Sequence, residues 1–294
     1  MAIIAKHLGL KFGIVIPAHN EEEFIAQTLE SLVAQSYKAT QIIVVNDGSK
    51  DRTAEIVKCF NTNHPEIILA DKPAQEEGHL PGSKVIAAFE FGRKHLAEEI
   101  DIICKFDADL IFPPNYLEGL KEVFSTNPKA GMVGGFCHIV KEGSWVLENL
   151  TGPDHIRGAL KAYRKECFAE IGGLRQAMGW DTVDELLAKY FGWDVTTLPE
   201  LAVKHLKPTG YSYNKKAKYK QGQAFYRMRF RPFLTGIASL KMAIRKGSPA
   251  FFFNTIWGFV LAWKNRDEFL VNASQGRFIR KLRYRKIIQK LIGR

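Results

Sequence analysis

Three observations predict an α/β fold built on a mostly parallel central sheet. Over the first third of the chain, short β-branched runs alternate with segments of helical periodicity. The runs are apolar throughout, with no alternation of polar residues, and four in succession end in polar groups. Strands apolar on both faces and joined by helical crossovers belong to parallel sheets covered on both sides.

The first strand lies in FGIVIPAHN, and Glu22 to Gln35 then places Ile25, Leu29 and Leu32 at helical spacing. QIIVVNDGS is a second strand stopped by an Asn-Asp-Gly turn, and Asp51 or Thr53 caps the helix that follows. EIILADK and the stretch from Ser83 to Leu96 form a third strand and helix, and DIICKFDADL is a fourth strand ending in acids. A helix from Tyr116 to Phe124, a strand in GMVGGFCHIV, a short helix ended by Gly172 and Gly173, a helix from Thr182 to Tyr190 and strands in WDVTTLPELAVKHL complete the domain. Composition then shifts to Lys, Arg, Tyr and Phe, which divides the chain into an α/β domain over 1–209 and a helical, basic, aromatic appendage over 210–294.

With 294 residues, 46% of them hydrophobic, the chain can bury a substantial core, which excludes wholesale disorder. The net charge of +11 is concentrated: nine Lys or Arg and no acid lie between Lys204 and Arg231, and eight more between Arg277 and Arg294. Such stretches attract phosphates of a nucleic acid, a membrane or a small molecule. Cys59, Cys104, Cys137 and Cys167 are far apart without CxxC spacing, so neither a zinc ribbon nor a disulfide framework is indicated and a cytoplasmic setting is expected. The start of the chain reads as a first core strand, not an export signal. The apolar run from Ala250 to Trp263 has 14 residues, too few for a span that needs roughly 20.

In a parallel sheet, ligands bind at the carboxyl ends of the strands. Those ends carry Pro17 to Glu21, Asn46 to Ser49, Asp71 to Lys72 and Asp107 to Asp109. Residues two apart on a strand point the same way, so Asp107 and Asp109 can face one divalent cation. Mg²⁺ or Mn²⁺ held by few carboxylates leaves room for phosphate oxygens and suits a diphosphate leaving group. Asp47, in a turn-forming sequence at the same rim, can accept from a base or ribose, and Lys84 at a helix start can meet a phosphate.

IVIPAHNEEEFIAQTLESLVAQSY, IIVVNDGSKDRTAEIV, GSKVIAAFEFG and KFDADL, in this order, resemble the family-2 glycosyltransferases of the GT-A fold over roughly residues 12 to 205. The resemblance implies a nucleoside diphosphate sugar donor, a divalent metal, and transfer with inversion to a hydroxyl. It places Pro17, Ala18, Asn20 and Glu21 around the nucleotide, Asp47 on base or ribose, Asp107 near ribose or metal, and Asp109 on the metal. His205 is either a further ligand near the metal and diphosphate or a structural histidine. The family's acidic base falls on Asp181, with Asp184 or Glu185 as alternatives, because the usual Glu-Asp pair is Trp180-Asp181 in this chain. Cys137 and His138 are taken as structural.

The resemblance further implies a saccharide or lipid-linked acceptor in surface polysaccharide or glycolipid synthesis. The segment YSYNKKAKYKQGQAFYRMRFRPFL and the basic C-terminus then suit the inner, anionic face of a membrane better than a nucleic acid. Gln275 to Phe278 only faintly echo the Gln-x-x-Arg-Trp motif of processive synthases, which favours transfer of one sugar. A sugar-phosphate nucleotidyltransferase and a catalytically inactive membrane adaptor are the competing readings.

Overall fold

The computed structural model describes residues 9–73, 83–148, 152–207 and 218–293. The boundary set at 209–210 and the aromatic-basic stretch 211–217 therefore lie outside the described residues. The first half winds as β1 (Phe12–Ala18), α1 (Ile25–Val33), β2 (Gln41–Asn46), α2 (Thr53–Asn63), β3 (Ile67–Asp71), α3 (Ser83–Arg93) and β4 (Ile102–Phe106). It continues through β5 (Leu110–Ile111), α4 (Tyr116–Thr126), β6 (Ala130–Lys141), β7 (Ser144–Leu147), β8 (Leu160–Arg164), α5 (Lys165–Glu170), α6 (Trp180–Tyr190) and β9 (Asp194–His205).

The nine strands among the described residues form one sheet in the order β3-β2-β1-β4-β8-β6-β9-β5, with β7 paired to β6. The unit β3-β2-β1-β4 is parallel throughout, as its apolar strands and helical crossovers predict. Beyond β4 the pairing is antiparallel except for β6 with β9. The parallel half has buried Ile and Val along β1 and β2, and Ile25 and Leu29 of α1 join the same core.

Asp107 to Asp109 do not extend β4 as a strand. The chain leaves β4 at Phe106 and turns through these residues into β5, which pairs with the end of β9 through Leu110 and His205. The turn replaces the same-face presentation expected of a strand and gives the two carboxylates different partners.

Among the described residues four helices follow: α7 (Lys220–Arg227), α8 (Arg231–Lys246), α9 (Pro249–Asn265) and α10 (Ala273–Leu291). α7 and α9 cross at Gly222 and Gly258, where added Cβ atoms would fall 1.9 Å from the Thr255 carbonyl oxygen and 2.0 Å from that of Tyr219. Only glycine permits that backbone approach. Tyr190 ties this layer to the α/β domain, with its ring edge-on to Phe278 and its hydroxyl 3.1 Å from Ser274. Gln275 forms a reciprocal capping box with Asn272 at the start of α10. Among the described residues, no helix is long and apolar enough to cross a membrane.

Candidate active site

The ends of β1 and β2 build one rim. Pro17 and Ala18 pair with Val45 and Asn46, and the Asp47 amide donates to the Ala18 carbonyl at 2.9 Å. Asn20 takes a left-handed backbone, φ 55°, and accepts from the Lys50 amide at 2.8 Å, which locks the two loops together. Asp47 accepts from Lys72 at 2.6 Å, so the lysine behind β3 holds the carboxylate at the rim. Glu21 accepts from Lys207 at 2.7 Å. Burial, assisted by Asp109 and Asp107, raises the Glu21 carboxyl above its usual range despite that lysine. Lys84 is exposed in the first turn of α3.

At the β4 turn, the Asp107 side chain remains 35% exposed and pairs with Lys105, whereas that of Asp109 is 11% exposed. His205 Nε2 stands 3.4 Å from Asp109 Oδ2, and its Nδ1 stands 3.2 Å from Glu148 Oε2. Arg157 braces Glu148 at 3.2 Å. Burial opposes a charge on His205, but Asp109 and Glu148 outweigh it and lift the imidazole to about 9. This donor set fits Mn²⁺ or Mg²⁺. An imidazole nitrogen and a carboxylate oxygen face each other, and a second carboxylate orients the ring from behind, as in metal sites whose histidine is fixed by an outer carboxylate. Cys137 Sγ belongs to the same cluster, within 4.8 Å of the Glu148 and His205 ligand atoms. Burial raises its thiol well above the usual range, so it fills space as a neutral group.

The first half of α6 carries three acids with different surroundings, of which only Asp181 stands in the first turn. Asp184 is 2% exposed; both its oxygens accept from Lys161 at 2.9 Å and one also from the Tyr163 hydroxyl at 2.6 Å. Glu185 is buried, accepting from the Ile156 amide at 2.8 Å and lying 3.1 Å from His155 Nδ1. Asp181 keeps 35% of its side chain open and lies 3.6 Å from His155 Nε2. Its partial burial favours the neutral acid, but His155 and Lys161 more than offset this and hold it below the usual carboxylate range. The Asp107 amide donates to Ala159, and a Cβ on the adjoining Gly158 would lie 3.3 Å from that of Asp181, so the β4 turn and the start of α6 meet at this segment.

Lys72 falls in the strand end Asp71 to Lys72 that the sequence places at the rim, whereas Glu148, Arg157, His155 and Lys161 carry no assignment from the sequence. They come from a strand end, loops and the interior of β8, and only Lys161, a cation within the apolar stretch LKAY, offered a signal.

A mixed sheet of nine described strands, with a parallel half whose strand ends form one rim and an Asp-x-Asp turn at its edge, is the GT-A glycosyltransferase fold. The chain belongs to glycosyl transferase family 2, whose model matches residues 13–170. A probable glycosyltransferase of Bacillus subtilis, YdaM, is 29% identical over 196 residues, which cover 65% of this chain and 44% of that protein. A poly-beta-1,6-N-acetyl-D-glucosamine synthase of Staphylococcus epidermidis is 31% identical over 142 residues, 46% of this chain and 30% of the synthase. The chain thus spans less than half the length of these curated relatives. Among solved structures, the mannosyltransferase PcManGT from Pyrobaculum calidifontis, in complex with GDP-Man and Mn²⁺, aligns with a TM-score of 0.59 at 17% identity, covering 93% of this chain and 79% of that one. GalNAc-T7 with UDP, GalNAc and Mn²⁺ aligns with a TM-score of 0.61 at 13% identity, over 80% of this chain and 51% of that one. Family membership sets the nucleotidyltransferase alternative aside.

Proposed function

We propose that the protein transfers one sugar, with inversion, from a nucleoside diphosphate sugar to an acceptor hydroxyl in surface polysaccharide or glycolipid synthesis. The observation that carries this reading is the pairing of Asp109 with His205 at 3.4 Å beside an α6 whose one open carboxylate is Asp181. Pro17, Ala18, Asn20, Glu21 and Asp47 surround the nucleotide, with Lys84 as a phosphate contact. Asp109 and His205 would hold Mn²⁺ or Mg²⁺, with Asp107 beside them. When bound, the metal offsets the charge of the departing diphosphate.

Asp181 is the base. It accepts the proton of the acceptor hydroxyl as that oxygen attacks the anomeric carbon, and its depressed pKa keeps it ionised at neutral pH. Asp184 acts as a positioning residue, because its oxygens are committed to Lys161 and Tyr163. A single displacement needs one base and one stabilised leaving group, unlike the carboxylate pair of a retaining glycosidase. The basic C-terminal helices, with exposed Phe253, Trp257 and Trp263, support peripheral attachment to the inner face of the cell membrane.

The test is nucleoside diphosphate release from a panel of sugar donors, with and without Mn²⁺ or Mg²⁺, for wild type and Asp109→Ala. A metal-dependent signal for one donor, lost in the variant, is expected. The absence of both turnover with every donor and acceptor tried and metal-dependent nucleotide binding would move the protein to the inactive-adaptor reading.

A further inference from the structure

The C-terminal helices enclose a cavity of about 820 Å³ that shares no residue with the strand-end rim. Ile256, Phe259, Val260 and Trp263 of α9, with Phe269, make one wall. Arg229, stacked on Phe269, and Arg231, Arg277 and Arg280 also line the cavity, and no acidic side chain does among the described residues. Over residues 210–294 as a whole there are twenty Lys or Arg and only two acids, Asp267 and Glu268.

Among the described residues, none of the four arginines forms an ion pair. Arg280 donates to the Arg229 carbonyl at 2.7 Å, and Arg229 donates to the Val271 carbonyl at 2.8 Å and stacks 3.6 Å over Phe269. Both groups are thereby fixed without being neutralised. Arg229 and Arg231 also adopt left-handed backbone, φ 58° and 65°, which costs a non-glycine residue energy and orients the turn between α7 and α8. Burial, together with Arg231, Arg229 and Arg277, holds the Arg280 guanidinium below its usual value. Clustered cations against apolar surface call for an anion, and the apolar wall calls for one with a hydrocarbon part.

The wall continues onto the outside of the protein. Phe253, Trp257, Val260 and Trp263 recur at helical spacing along α9 and are exposed, and Phe233 projects beside Pro232 at the cavity edge. Leu240 and Ile244 extend an exposed apolar row on α8. A basic cavity opening onto an aromatic and aliphatic stripe matches the boundary between headgroups and acyl chains. A nucleic-acid groove would instead need cations tracking along the surface where this stripe is apolar.

We propose that this cavity is a headgroup site for an anionic membrane phospholipid. The lipid phosphate sits among Arg231, Arg277 and Arg280, its chain runs along Phe259 and Trp263, and the α8–α9 stripe rests in the leaflet. This deepens the membrane-attachment reading and rests on it, but it does not depend on the sugar chemistry.

The test uses the full chain with vesicles of phosphatidylcholine alone or mixed with phosphatidylglycerol, followed by flotation. Arg231→Gln/Arg277→Gln removes two cavity charges whose side chains hold no part of the fold among the described residues. Lys281→Gln/Arg285→Gln removes the same charge from exposed positions of α10 outside the cavity. Wild type should float with the anionic vesicles, and the cavity variant should lose roughly tenfold or more in partitioning while the control loses much less. Short-chain phosphatidic acid should raise the melting temperature of wild type but not of the cavity variant. Equal loss in both double variants, or the same thermal shift from inorganic phosphate, overturns the headgroup site and leaves membrane attachment standing. No flotation of wild type overturns both. Single-stranded RNA that binds wild type and not the cavity variant, without flotation, overturns the lipid assignment for a nucleic-acid one.

Discussion

Lys105 of β4 and Lys161 of β8 lie directly opposite each other in register, and their ammonium groups stand 5.5 and 5.7 Å from the ring of Trp180. Like charges facing across a sheet are unfavourable. Asp107 pairs with Lys105, Asp184 and Glu185 pair with Lys161, and the Trp180 indole at the start of α6 lies within cation–π reach of both ammonium groups. The two lysines thereby link the turn after β4 to the start of α6.

The two lysines should respond differently to removal. Lys161→Met leaves Asp184 buried without its cation, a situation that costs about 3–5 kcal/mol. Lys105→Met leaves Asp107 at a turn where water still reaches it, so its cost should be smaller, about 1 kcal/mol. Urea denaturation of both variants at neutral pH checks the order. Equal losses would contradict the distinction.

Asp181 and Asp184 should separate catalysis from stability. Asp181→Asn is expected to lower kcat by about 100-fold or more with little change in melting, because the carboxylate is the proposed proton acceptor and its side chain is partly open. Asp184→Asn should chiefly destabilise, because it strips the charge partner of Lys161. The depressed Asp181 carboxyl also places the acid limb of kcat/KM below the usual carboxylate range. A limb that Asp181→Asn leaves unmoved would assign the base elsewhere.

The parallel half of the fold was legible because each element carries its own local signal: the runs in β1 to β4 are continuous and their helices periodic. The later strands were less so. β5 has only two residues and exists through its pairing with β9, and β7 is an exposed hairpin strand after a turn at Glu142 and Gly143. The acids at strand ends stood out because the neighbouring sequence is apolar. Glu148 did not, since a lone glutamate after a short strand resembles any surface residue until the fold brings His205 to it. The resemblance puts the base on Asp181 ahead of Asp184 and Glu185, but the burial of Asp184 is not legible in the sequence, because the partners that bury it come from β8, 21 and 23 residues away.

Glu148 should tune the metal site without binding the ion. Glu148→Gln keeps a side-chain acceptor for His205 but removes the charge that steadies the ring, so Mn²⁺ affinity should fall 10–100-fold, about the range for such outer partners. Asp109→Ala should abolish metal-dependent nucleotide binding, and Asp47→Ala should weaken donor binding with or without metal. Calorimetric titration of Mn²⁺ and nucleotide into each variant separates the three.

His155 gives stability a pH dependence. Burial disfavours its charge, but Asp181 and Glu185 outweigh this and raise it from an ordinary 6.5 to about 9. A raised pKa means that the folded state holds the proton more tightly than the unfolded chain. The contribution is therefore complete below about pH 6.5 and is lost as pH rises through about 9. The shift corresponds to about 3 kcal/mol. His205 follows the same sign in the absence of metal, so wild type should lose stability over this window and His155→Gln should lose distinctly less. Denaturation midpoints from about pH 6 to about pH 10 test this, and parallel curves would remove His155 as a source.

The crossing of α7 and α9 should tolerate no side chain. A methyl group at Gly222 or Gly258 would meet carbonyl oxygens at 1.9 and 2.0 Å, and those atoms belong to the facing backbone, which cannot move aside as a flexible side chain does. The helices must separate, which weakens the contacts of Ala224 and Phe225 of α7 with the core. Gly258→Ala is expected to cost about 1–3 kcal/mol or more. The same substitution at Gly236 on α8, where an added Cβ meets nothing within 4 Å, should instead be neutral or stabilising, as expected for alanine in a helix. Thermal melting of the two variants side by side decides the matter. A Gly258→Ala protein as stable as wild type would mean that these helices do not touch at the glycines.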